Sequence, residues 1–269
     1  MNLGSDFPTK TRFALVVLGL FTLFGPSAHA ALITYYDFDG GSLTDTVGGV
    51  VATDVGGGST TAGFSGDAWS FDGTNFLRPG VNLRPDAMPQ MTWGAWVNAS
   101  SSTPVDQVLS MDDAAPGDFD RSIGIDFRGG GGTGWSAFRG PTGTGVVGSG
   151  SRPVTLGSWT FVAASYDENI NEMRFYVDGE PVIVASTAFT GGQTFFDIGH
   201  NPSFGEFFHG AIDEVFVFDE VLSAAQIDNI RLNGVAAVHA PGGLALFIGA
   251  LALLGFAKRP SLALARRSE

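Results

Sequence analysis

Apolar residues between Leu32 and Phe218 recur in short runs broken by Gly, Asp and Asn, the spacing of strands and turns rather than of long helices. MTWGAWVNAS (91–100) places Trp93 and Ala95 on one face of a strand and Trp96 on the other, too apolar on both sides for a wholly solvated strand. SWTFVAASYD (158–167) has the same character. In EMRFYVDGEPVIV, Met173, Phe175 and Val177 alternate with Arg174 and Tyr176, and Asp178-Gly179 supplies the positive-φ pair of a tight hairpin. GAIDEVFVFDEVL reads as a further strand, after which Ser223 and Gln226 form a capping box for a short helix carrying Ile227 and Ile230. The pattern predicts an all-β sandwich of two antiparallel sheets with one helix near its end.

The two ends follow other rules. Lys10 and Arg12 precede an apolar run from Phe13 to Phe24, and small residues at Ala28 and Ala30 complete the A-x-A signature of a secretory signal peptide over residues 1–30. The apolar run Gly242 to Ala257 has 16 residues. As a helix it would be about 24 Å long, short of a ~30 Å hydrocarbon core, so it inserts only marginally. Pro241 suits its first turn, and Lys258, Arg259, Arg266 and Arg267 would stay on the cytoplasmic side. The expected division is leader (1–30), β module (31–235) and C-terminal segment with a basic tail (236–269).

Charge narrows the function. From Ala31 to His239 there are 8 Arg, no Lys and 25 Asp plus Glu, a balance of −17. Such a surface repels phosphate backbones, which argues against a nucleic-acid partner, and favours divalent cations and neutral or cationic ligands. There is no Cys, so no disulfide holds the exported module together.

In order along the chain, YYDFDGGSLTDTVGG (35–49), Phe71 to Gly73, the Trp strand Met91 to Val97, Gly157 to Gly179, and GAIDEV with its trailing LSAAQI (210–227) resemble the motifs of LamG-like domains. The resemblance implies a concanavalin A-like jelly roll. It also implies a structural calcium ion tying the first strand's loop to a late strand, with Asp39, Asp45 and Asp213 as ligands and Asp37 in reserve. The residues leave an alternative open: Asp45 as a turn-forming side chain, Asp213 as a partly buried carboxylate bonded to backbone amides. The tail, with APGGLAL before its apolar helix, resembles the PEP-CTERM sorting signal of Gram-negative bacteria. That implies an exosortase-like processing enzyme, transient membrane anchoring and delivery to the cell envelope or extracellular matrix. The literal Pro-Glu-Pro is missing, and a GlyGly-type signal at Gly242-Gly243 is the runner-up.

Catalytic signatures are sparse. Laminarinase-type enzymes on this fold carry E-x-D-x-x-E on one strand, and no stretch matches. Asp213-Glu214 and Asp219-Glu220 split across strand faces, although two carboxylates could still face each other across strands. There is no G-x-S-x-G and no zinc spacing, and His200 and His209 read as loop residues. Gly143 to Gly148 is a formal G-x-G-x-x-G without the strand and helix that a dinucleotide needs. Four carboxylates in MDDAAPGDFD (111–120) miss the EF-hand spacing. The expected function is a non-catalytic module binding carbohydrate, exopolysaccharide or matrix material through Trp135, Phe204, Phe207 and His209. Phe138 and Phe208 are further candidates, and Trp135 is read as lying in a glycine-rich loop, Arg128 to Arg152. The alternatives are a glycan-cleaving enzyme or a purely structural envelope protein.

Overall fold

A computed structural model describes residues 30–103, 105–112, 121–138, 146–185 and 195–239. The leader (1–29), the apolar tail (240–269), Asp113 to Asp120 of the acidic run and Gly143 to Gly145 lie outside the described residues. In chain order the strands are β1 (Leu32–Tyr36), β2 (Thr53–Val55), β3 (Ser59–Ala62), β4 (Asp67–Asp72), β5 (Phe76–Arg78), β6 (Gln90–Ala99), β7 (Asp106–Ser110) and β8 (Ser122–Asp126). They continue as β9 (Gly134–Phe138), β10 (Val146–Gly148), β11 (Trp159–Asp167), β12 (Glu172–Val177), β13 (Glu180–Ala185), β14 (Asp197–Ile198) and β15 (His209–Phe218). Helix α1 (Ala224–Asn233) and one turn, α2 (Ala236–His239), follow.

Two antiparallel sheets form a jelly-roll sandwich, as expected. One runs β13-β12-β11-β6-β15-β4-β3 with β1 also on β15, the other β10-β9-β8-β7-β14-β5-β2. Between them lies the main core, where Trp93, Ala95, Val97, Val162 and Tyr166 of the first sheet meet Ile123, Ile125, Trp135 and Ile198 of the second. The opposite face of β6 and β11 is also apolar because Trp96, Phe161 and Ala163 pack with Leu222, Ile227, Ile230 and Val235, the side chains that α1 and its flanks lay over the sheet. Each large side chain so buried is worth roughly 1.5–3 kcal/mol.

Local signals are realised. Asp178 and Gly179 take φ of 50° and 87° between paired Val177 and Glu180, a two-residue hairpin turn. Ser223 Oγ accepts the Gln226 amide at 3.3 Å while Gln226 Oε1 accepts the Ser223 amide at 2.9 Å, closing the capping box.

One expectation fails. Trp135 lies on strand β9, 1% exposed and within the main core, so it offers no surface to a ligand. The glycines around it mark close backbone packing: a Cβ on Gly134 would strike the Ser149 and Arg152 carbonyls, and Trp135 itself donates its amide to Arg152 at 2.7 Å. Val146 to Gly148 likewise pairs with β9 as a strand, which is not the context of a dinucleotide loop.

Candidate functional site

At one end of the sandwich, where β4 ends and β7 and β15 begin, a cavity of about 260 Å³ is lined by Gly73, Val105, Asp106, Gly205, Glu206, Phe207 and His209. It brings together the two sheets and the loop that leads into β15. That loop is a compact hairpin: His200 bridges to Phe207, the Asn201 amide reaches the Glu206 carbonyl at 3.0 Å, and Phe208 donates to Gly199 at 2.9 Å. Phe208 points into the core against Phe71, which leaves Phe207 on the opposite side. Gly73, at φ 87°, is required here, since a Cβ would collide with the His209 ring.

The polar groups are held unevenly. Asp106 is 5% exposed, yet its Oδ2 has no hydrogen-bond partner; His209 Nδ1 is likewise buried and unpartnered. The two atoms stand 3.9 Å apart, too far for a hydrogen bond. Next to Asp106, Gln107 is fully buried with neither amide atom partnered. Glu206 accepts from Asn201 at 2.8 Å and lies 3.8 Å from Arg128, whose guanidinium is already bound to Asp126. Behind Phe207, its ring and that of Phe76 flank His200 at centroid distances of 4.3 and 4.4 Å, and His200 contacts Asp197 at 2.8 Å, itself paired with Arg78 at 2.7 Å.

Burial pushes the Asp106 carboxyl up to about 6, the nearby His209 opposing it, and burial also raises Glu206. Burial of Asp213 on β15 pushes that carboxyl to about 7. The native state therefore holds protons that the unfolded chain releases near pH 4, so these groups favour the fold less as pH climbs from about 4 to about 7. Asp106→Asn should flatten that fall by on the order of 1–2 kcal/mol, read from urea unfolding at pH 4.5 and pH 7.5. An unchanged difference between the two pH values would contradict this account of Asp106.

Of the residues expected from sequence to contact ligand, the structure gathers Phe207 and His209. Phe204 is exposed beside the cavity but does not line it, and Trp135 is core. Phe138 is buried, with the Arg128 guanidinium 4.9 Å over its ring. Neither histidine is a plain loop residue: His200 is buried and His209 opens β15. Asp106 and Glu206 belong to no local motif, and their sequence signal is limited to the apolar-flanked carboxylates of PVDQVLS and FGEFFHG.

The carboxylates expected to hold calcium each also bind backbone amides. Asp45 accepts the amides of Tyr35, Val47 and Gly48 at 2.7–3.0 Å, as a turn-forming side chain does. Asp213 accepts those of Glu214 and Ser65, and Asp39 that of Asp67, so these two clasp the turn before β4. Asp37 accepts the Asp39 amide. Among the described residues no group of three acidic or histidine side chains could hold a metal.

A sequence profile described as the concanavalin A-like lectin/glucanases superfamily matches residues 72–228. Among solved structures, domain 4 of a GH43 extracellular arabinanase from Geobacillus stearothermophilus, in complex with arabinotriose, is similar at 22% identity and TM-score 0.60, covering 75% of this chain and 98% of that one. A botulinum neurotoxin type C structure, concerned with cell entry through two ganglioside molecules, is similar at 12% identity and TM-score 0.54, covering 74% of this chain and 50% of that one. A Trypanosoma rangeli sialidase mutant with trans-sialidase activity is similar at 16% identity and TM-score 0.55, covering 77% and 33%. This chain thus spans half and a third of those two proteins. No curated protein matches.

Proposed function

The chain belongs to the concanavalin A-like lectin/glucanases superfamily, and from that premise we propose that it is an exported, non-catalytic carbohydrate-binding module whose ligand enters the cavity at Asp106, Glu206, Phe207 and His209. The observation that carries this reading is a cavity that presents the Phe207 ring together with two polar side chains, Asp106 and His209, whose enclosed Oδ2 and Nδ1 have no hydrogen-bond partner. Buried polar groups are almost always satisfied, and two orphans on one cavity wall are what a ligand's hydroxyls would complete. The arabinotriose and ganglioside of the two structural relatives support a glycan as that ligand. Export rests on the leader at residues 1–30. The tail at 236–269 adds the expectation of a PEP-CTERM-like signal, removed by an exosortase-like enzyme after brief anchoring in the inner membrane of a Gram-negative cell. Intact mass of envelope-extracted protein tests both ends: a chain from near Ala31 to near Gly243 supports them, and retained Arg267 contradicts removal of the tail.

One observation favours a second reading, cleavage: Asp106 and Glu206 share a cavity and both hold protons more tightly than free carboxyls, as a general acid must. The same assay separates the two. The purified protein should be retained saturably on exopolysaccharide from its own host without releasing reducing sugar. Phe207→Ala should weaken retention about tenfold or more, because an aromatic face stacked on a sugar is worth roughly 1.5–3 kcal/mol. Phe204→Ala, outside the cavity, should stay within about threefold of wild type on the same scale. Retention untouched by Phe207→Ala would remove the cavity from binding, and sugar release would make the protein an enzyme.

A further inference from the structure

The chemistry of the cavity walls says which sugars it prefers. Two carboxylates line it, Asp106 on β7 and Glu206 on the hairpin before β15. The Asp106 side chain is 7% exposed, and among the described residues the group near it able to carry positive charge is His209 at 3.9 Å. Glu206 faces Arg128 at 3.8 Å, but that guanidinium is held by both oxygens of Asp126 at 2.9–3.1 Å through Nε, and Asp126 and Asp112 add negative potential at Glu206. The walls therefore carry more negative than positive charge.

A neutral sugar would bring the buried Asp106 carboxylate no counter-charge beyond His209, and an acidic sugar would be repelled by both walls. A divalent cation wants six or more oxygen ligands for calcium, or a near-ideal octahedron for magnesium, and no group of three acidic or histidine side chains among the described residues comes together for one. An ammonium needs only a few acceptors and a favourable ring face, which Asp106, Glu206 and Phe207 supply at one place. We propose, resting on the carbohydrate reading above, that the cavity takes a sugar bearing a free amine, with the ammonium seated between Asp106 and Glu206 and against the Phe207 ring. The cavity volume of about 260 Å³ falls below the ~300–1,000 Å³ range of pockets that enclose drug-sized ligands, so a single ring enters rather than a chain. Burial raises both carboxyls, so each ionised form gains from a cation brought beside it. The strongly acidic module draws such ligands in.

Calorimetric titration of the purified protein at pH 6.5 tests this with four probes: a glucosamine tetramer, its fully N-acetylated counterpart, a glucose tetramer and spermidine. The glucosamine tetramer should bind at least about tenfold tighter than either neutral tetramer, and Asp106→Asn or Glu206→Gln should each shrink that preference to below about threefold. Circular dichroism confirms that each variant is folded. Neutral tetramers binding as tightly as glucosamine, or a preference that survives both substitutions, would overturn the proposal. Spermidine binding as tightly as the tetramer, and competing with it, would assign the cavity to amines in general and overturn the sugar. If no tetramer binds while the host exopolysaccharide still does, the amine proposal alone falls; loss of both removes the carbohydrate reading as well.

Discussion

Trp135→Ala should cost the protein about 3–5 kcal/mol, the range for removing a buried aromatic side chain from a packed core. The loss follows from the position of Trp135 on β9, fully enclosed between the two sheets. Urea unfolding would measure it, and in the folded fraction glycan retention should be unchanged. A loss below about 1 kcal/mol, the usual scale of surface substitutions, would place Trp135 back on the surface as a ligand platform.

Glu168→Ala should be comparably severe, for electrostatic reasons. Arg121, just before β8, has a fully buried side chain, and Glu168, just after β11, is 6% exposed; they meet at 2.6 Å. The Arg121 guanidinium also donates to the carbonyls of Leu83 and Met88 at 3.0–3.1 Å, fastening the segment before β6 to both sheets. Burial already lowers the proton affinity of Arg121, the carboxylate of Glu168 opposing that most strongly. Removing the carboxylate leaves a buried cation whose uncompensated charge costs about 3–5 kcal/mol. Arg121→Met combined with Glu168→Leu should recover at least about half of that loss, because a well-packed apolar pair need not be dehydrated as ions. If the single variant unfolds at the same urea concentration as wild type, the ion pair does not fasten this segment to the sheets.

The parts of the fold legible from sequence are those whose cause is local. The Asp178-Gly179 hairpin and the Ser223/Gln226 cap are set within a few residues, and the two-sided burial of β6 and β11 shows in the apolar character of both faces. Trp135 misled because glycine content reads as looseness, whereas Gly134 is there to let the Ser149 carbonyl approach. Asp45 and Asp213 each bind backbone amides, the alternative their residue types left open, and which amides the fold brings near is not written in the local sequence. The cavity was half visible. His209 and Phe207 stand together in NPSFGEFFHG, but Asp106 comes from a strand about a hundred residues earlier, and the pairing of β14 with β7 in one sheet and of β15 with β4 in the other brings its surroundings into place. No periodicity encodes such a meeting.

The most direct measurement follows the imidazole resonances of ¹⁵N-labelled protein while oligosaccharides cut from the host exopolysaccharide are added. The full chain has only 4 His, so His209 can be assigned by its loss in His209→Gln. With the ligand seated in the cavity, the His209 ring signals shift saturably, at the concentration where retention is half-maximal. Saturable binding that leaves the His209 ring unmoved would contradict the assignment of the cavity as the carbohydrate site.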